Sequence, residues 1–170
     1  TDSPCLKLKP LQKKMSGNYV QWGVEIYGGV LLNSWLDRDL CLSGRVSFTQ
    51  KGKLQHKLIS INESFFRVPQ LAIHLDREAN KGLKLNSETH MVPVLGLDNP
   101  DDLDKVILKK LAVKGLVKDD IKSFDLFFHD ASESSYGGLN DEFIYAPRLD
   151  NLAMCDAASK ALSKAKPSEK

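Results

Sequence analysis

The stretch Leu40-Cys41-Leu42-Ser43-Gly44-Arg45-Val46-Ser47-Phe48-Thr49, then Gln50-Lys51-Gly52-Lys53, then Leu54-Gln55-His56-Lys57-Leu58-Ile59-Ser60-Ile61 decides the fold class. The first arm reads as a strand, with Gly44 as a candidate bulge. Gln50–Lys53 has turn chemistry, and the second arm returns, so the pair is expected to form a β-hairpin. Upstream, Tyr19 to Tyr27 is dense in aromatic and β-branched residues and predicts a second strand, broken by Gly28-Gly29. Further upstream, Leu6 and Leu8 alternate with Cys5, Lys7 and Lys9, the pattern of a strand with one wet face. Pro10 is expected to end that strand, and Met15-Ser16-Gly17-Asn18 to turn the chain. Downstream, Phe65 to Val68 predicts a short strand closed by Pro69. Met91 to Leu95, interrupted by Pro93, predicts an edge strand.

Helical signals are fewer. Asn99-Pro100-Asp101-Asp102 reads as a helix start, with Asn99 or Asp101 as the cap and acidic residues at the positive helix end. Leu103, Val106, Ile107, Leu108 and Leu111 follow at near-helical spacing, and Gly115 is the expected stop. Ile121 to Phe128 alternates as a strand, with Phe124, Leu126 and Phe128 on one face. A Ser/Gly-rich loop covers 131–140, Phe143 to Ala146 is a short strand, and 151–164 is alanine-rich and helical in propensity. The expected class is α+β: a β-rich body, one inserted helix and one terminal helix.

Bulk properties narrow the function. With 24 basic and 22 acidic residues among 170, the formal charge is +2, which offers no electrostatic footprint for nucleic acid. No apolar run approaches the roughly 20 residues of a membrane helix, so neither nucleic acid nor a membrane is an expected partner. Cys5, Cys41 and Cys155 are odd in number and widely spaced, which predicts reduced thiols rather than disulfides or a cysteine zinc site.

Candidate chemistry rests on histidine and carboxylate. No two of His56, His74, His90 and His129 are three or four residues apart, so there is no HExxH-type metal helix. His56 reads as solvated, and His90 and His129 as structural. His74, inside Leu71-Ala72-Ile73-His74-Leu75, reads on pattern alone as a buried, satisfied histidine. Asp150, between Pro147-Arg148-Leu149 and the last helix, reads on spacing alone as a helix cap. It could equally point into a site at a strand end. Asp37-Arg38-Asp39 reads as a loop braced by an Asp–Arg pair.

Taken together, four blocks resemble one family. They are Thr1-Asp2-Ser3-Pro4-Cys5-Leu6-Lys7-Leu8-Lys9-Pro10; Tyr27-Gly28-Gly29 with Trp35-Leu36-Asp37-Arg38-Asp39-Leu40; Arg67-Val68-Pro69 with Leu71-Ala72-Ile73-His74-Leu75; and Glu142-Phe143-Ile144-Tyr145-Ala146-Pro147-Arg148-Leu149-Asp150-Asn151. In this order they resemble the aspartyl aminopeptidases, zinc metallopeptidases that remove N-terminal, often acidic, residues from peptides. The resemblance implies a catalytic domain of α/β zinc-peptidase fold that binds two zinc ions. Inserted in it is a β-rich, sandwich- or barrel-like dimerisation domain, and dimers assemble into a dodecamer. On this reading residues 1–10 and 141–170 are catalytic-domain segments and 11–140 is the insert. Asp150 matches the carboxylate that bridges the zinc ions. Asp2 matches an aspartate that orients the histidine ligand two residues before it. His74 matches an insert histidine that reaches a neighbouring subunit's active site and contacts substrate. Asp37-Arg38-Asp39 matches a shaped structural loop.

The family's general base and its other zinc ligands have no counterpart in the 170 residues. One carboxylate does not hold two zinc ions, and the attacking water lacks a base. The chain also opens on Thr1 rather than Met. The expectation is therefore an excised, inactive-alone segment of an aminopeptidase that mediates subunit assembly, in the cytoplasm or a vacuole. The alternative is a catalytically inactive, stand-alone interaction module.

Overall fold

The computed structural model describes residues 4–98 and 103–166. The chain separates into two compact units, Pro4–Ala131 and a second one from Ser132 onward.

The first unit is mostly β. Its strands are β1 (Cys5–Ser16), β2 (Tyr19–Tyr27), β3 (Leu40–Gln50), β4 (Lys53–Phe66), β5 (Val94–Leu97) and β6 (Ile121–Asp130). They form one six-stranded antiparallel sheet in the order β4-β3-β6-β1-β2-β5. The expected hairpin is β3–β4. Its two connecting residues, Lys51 and Gly52, have φ of 50° and 73°. Left-handed backbone at both positions matches the twist of the flanking strands. Beyond β4, Arg67 bridges Val94, with N–H···O bonds of 3.2 and 2.8 Å in the two directions. The edge strands β4 and β5 thus meet at one rung.

Three sequence expectations are corrected here. Gly44 is not a bulge: it stays in register with Ile59 on β4 and Leu126 on β6. Its φ is 153°, and a Cβ there would lie 2.0 Å from the Asp125 carbonyl oxygen, so glycine permits close strand approach. Pro10 does not end β1. The ladder to β2 shifts register between Leu8 and Lys13, which takes the proline out of the pairing. The Trp22 indole N–H donates to the Lys9 carbonyl at 2.6 Å in that irregular stretch. The expected Phe65–Val68 strand begins as the end of β4 rather than as a separate element.

The core lies on one face of the sheet, under helix α2 (Leu103–Leu111). Leu103, Ile107 and Leu111, spaced four apart, are buried against Leu6, Leu42, Ile61, Leu126 and their neighbours. Phe66 and Phe128 meet edge to face at 4.9 Å between ring centroids. The helix ends at Ala112, with φ 52°, before the expected stop at Gly115. The expected caps Asn99 and Asp101 lie outside the described residues. A four-residue helix, α1 (Ala79–Gly82), interrupts the long β4–β5 connection.

The second unit holds a hairpin, β7 (Ser135–Gly137) and β8 (Phe143–Tyr145), then helix α3 (Leu149–Lys164). No described residue from Ser132 onward is buried, and Tyr136, Phe143, Ile144, Tyr145, Leu152, Met154 and Leu162 are exposed.

Candidate functional site

The Asp37-Arg38-Asp39 cluster is built into the base of the loop that carries His74. Leu36 pairs with Val68 in a parallel bridge. Asp37, held at φ 54°, donates its N–H to the Val68 carbonyl at 2.9 Å. Its Oδ1 accepts the Gln70 N–H at 3.1 Å. One residue thereby grips the backbone on both sides of Pro69. Asp39 Oδ1 accepts from Arg67 Nη2 at 2.5 Å, and Arg38 pairs with Asp130 at the end of β6. The sequence suggested a loop braced by an Asp–Arg pair, and both braces are such pairs. Their partners lie 28 and 92 positions away in sequence.

From that base the loop leaves Gln70 and turns at Ala72, whose carbonyl accepts the N–H groups of Leu75 at 2.8 Å and Asp76 at 3.2 Å. His74 lies in this turn and is exposed, which corrects the pattern-only reading of a buried histidine. Its neighbours Leu71, Ile73 and Leu75 are 62%, 51% and 67% exposed. Three large exposed apolar residues thus lie within three positions of one exposed imidazole. A cleft of about 240 Å³ beside it is lined by Leu36, Pro69, Gln70, Leu71, Asp76 and His90, among others. His90, read from sequence as structural, sits in a turn where its Nδ1 accepts the Asn86 N–H at 3.0 Å.

Asp150 is exposed. It does not cap α3: no side-chain cap bond is made, and Asp150 and Asn151 have non-helical backbone, with a cis peptide bond between them. Arg148 precedes them in the left-handed region, at φ 63°. Asp2 lies outside the described residues. Among the described residues no three His, Cys, Asp or Glu side chains come together to hold a metal ion. The described residues therefore do not by themselves fit zinc.

The remaining candidates have local roles. His56 Nδ1 lies 2.9 Å from Ser47 Oγ across the hairpin, and His129 Nδ1 lies 3.2 Å from the Asp130 carbonyl. None of the three cysteines is in a disulfide, with Cys5 and Cys41 buried and Cys155 exposed. Burial pushes the Cys41 thiol above its usual range. On the sheet surface, Asp125 accepts from Lys7 at 2.8 Å and from Arg45 at 3.0 Å. The bonds from Lys7 first, then Arg45, hold its carboxyl below the usual range, and the same contact raises Lys7. No described helix is long and apolar enough to cross a membrane.

Comparison with known proteins places the chain in one family. Residues 1–170 match the family described as Aminopeptidase I zinc metalloprotease (M18). The chain is 39% identical over 176 aligned positions to the "Probable M18 family aminopeptidase 2" of Pseudomonas aeruginosa, covering 99% of this chain and 40% of the relative. Among solved structures it is similar to a chain of the Ape4 and Nbr1 complex, with TM-score 0.86 and 38% identity, over 96% of this chain and 35% of the other. It is also similar to Chaetomium thermophilum mApe1, with TM-score 0.83 and 35% identity, over 98% and 40%. The mApe1 dodecamer of S. cerevisiae gives TM-score 0.68 and 26% identity, over 94% and 36%. This chain belongs to the M18 family of zinc aminopeptidases. It spans about 40% of the length of the curated relatives it matches.

Proposed function

We propose that this chain is the assembly segment of a zinc aminopeptidase that removes N-terminal, often acidic, residues from peptides. In this reading residues 11–140 form the dimerisation insert, and residues 1–10 and 141–170 belong to the catalytic body. Asp150 supplies one zinc ligand, Asp2 orients a histidine ligand, and His74 enters a neighbouring subunit to contact substrate. The enzyme works as a homo-oligomer in the cytoplasm or a vacuole.

The observation that carries this reading is the Leu71–Leu75 turn. An exposed imidazole flanked in sequence by exposed apolar residues, on a base fixed by hydrogen bonds and ion pairs, suits insertion into a second protein surface. The dodecameric assembly of a similar protein supports a second copy as that surface. Asp150 gains support from its geometry: an exposed carboxylate, free of helix capping, is available as a ligand.

The test uses the complete enzyme and an N-terminal aspartyl reporter peptide. His74→Ala is expected to lower turnover with zinc content unchanged. Asp150→Ala is expected to lose both zinc and turnover. Full turnover in His74→Ala, or full zinc in Asp150→Ala, removes that residue from the site.

A further inference from the structure

The grip of Asp37 on the two sides of Pro69 has a consequence for His74. The turn begins at Ala72, two residues after the pinned Gln70 amide, and His74 follows two residues later. Between that anchor and the imidazole the chain is held by the hydrogen-bonded turn at Ala72, which limits how far His74 moves once Gln70 is fixed. We propose that Asp37 is a positioning residue: through the Gln70 N–H and the Val68 carbonyl it sets where His74 meets substrate. This rests on the reading of His74 as a substrate contact.

Two features of Asp37 separate in this geometry. Its backbone, at φ 54°, lies where only Gly and, less readily, Asn or Asp are at ease. Its side chain supplies the acceptor for Gln70. Asparagine retains both, since its amide oxygen accepts a hydrogen bond. Glycine retains the backbone conformation and the N–H to Val68, and loses only the acceptor. The pair Asp37→Asn and Asp37→Gly therefore compares two variants that both keep the left-handed backbone, one with the bond to Gln70 and one without it, and the thermal midpoint reads any effect on folding. The Arg67–Asp39 pair and the Arg67–Val94 bridge still tie the two ends of the loop, so the fold itself remains braced without that one bond.

The experiment measures kcat, KM, zinc content and thermal midpoint of the complete enzyme as wild type, Asp37→Asn, Asp37→Gly, His74→Ala and the double variant Asp37→Gly/His74→Ala. Expected results are near wild-type turnover for Asp37→Asn and, for Asp37→Gly, kcat lower by on the order of tenfold, as small misplacements of a positioned group produce. Zinc and thermal midpoint stay unchanged in both. The double variant should match His74→Ala, because one residue acting through another leaves no independent effect. If His74→Ala lowers kcat but Asp37→Gly does not, or if the two effects multiply, the positioning role is overturned while His74 stands. If His74→Ala leaves kcat unchanged, the reading of His74 falls, and the positioning role with it.

Discussion

The two units of this chain treat their apolar side chains in opposite ways. From Pro4 to Ala131, the strands and α2 bury Leu6, Leu42, Ile61, Phe66, Ile107 and Phe128 in one continuous core. From Ser132 onward, comparably large side chains on β8 and α3 are exposed. Burial of apolar area is the main favourable contribution to folding. The first unit therefore has an apolar core of its own, while the described residues of the second leave their large apolar side chains exposed. The Leu71–Leu75 turn repeats that contrast on a smaller scale inside the first unit.

The contrast can be broken by mutation. Phe128→Ala removes a fully buried ring and is expected to destabilise the chain by about 3–5 kcal/mol. Leu162→Ala removes a side chain that is 79% exposed and is expected to stay within about 0.5 kcal/mol. Urea midpoints read both. Similar losses at the two positions would mean that the C-terminal helix belongs to the same cooperative core.

Thiol chemistry sharpens the same comparison without changing stability. Cys155 should react with a maleimide at an ordinary exposed-thiol rate, while Cys41, buried and with a raised pKa, should react only on unfolding. Mass spectrometry of partly labelled protein reads the order. Cys41 labelling at the rate of Cys155 would show the sheet to be open.

The smallest effect concerns the surface ion pairs of Asp125. Its carboxyl is held below the usual range, so the contribution is present above the ordinary carboxylate pKa and is lost as pH falls through the lowered folded value. Lys7 is raised, so its contribution is present below the ordinary lysine pKa and is lost as pH rises through the raised value. Both groups are substantially exposed, which limits the effect to less than about 1 kcal/mol. Asp125→Asn should flatten this dependence in thermal scans at either end of the pH range. An unchanged profile would show that these pairs contribute nothing.

Much of the sheet was legible because its signals are local. The hairpin turn needs only Lys51-Gly52, and the burial of Leu126 and Phe128 follows from alternation along one strand. The continuation of β1 past Pro10 was hidden because a distant residue, Trp22, bonds to the carbonyl of Lys9 in the irregular stretch. The site was less legible for the same reason. Nothing adjacent to Asp37 names Gln70 or Val68 as its partners, nor Asp130 as the partner of Arg38. An apolar run such as 71–75 looks like core whether its cover comes from the same chain or another. Asp150 read as a cap because capping depends on backbone angles that sequence spacing does not reveal.

The most direct test mixes subunits of two impaired variants of the complete enzyme, His74→Ala and Asp150→Ala, by dissociation and reassembly. The first keeps its zinc ligand and lacks the reaching imidazole; the second is the converse. If His74 acts across the subunit boundary, a His74→Ala site beside an Asp150→Ala partner is complete. Random pairing in a two-fold dimer makes roughly a quarter of all sites so. The account predicts recovery of aminopeptidase activity toward that level on mixing. No recovery in reassembled mixed oligomers would contradict it and place His74 in its own subunit's site or in none.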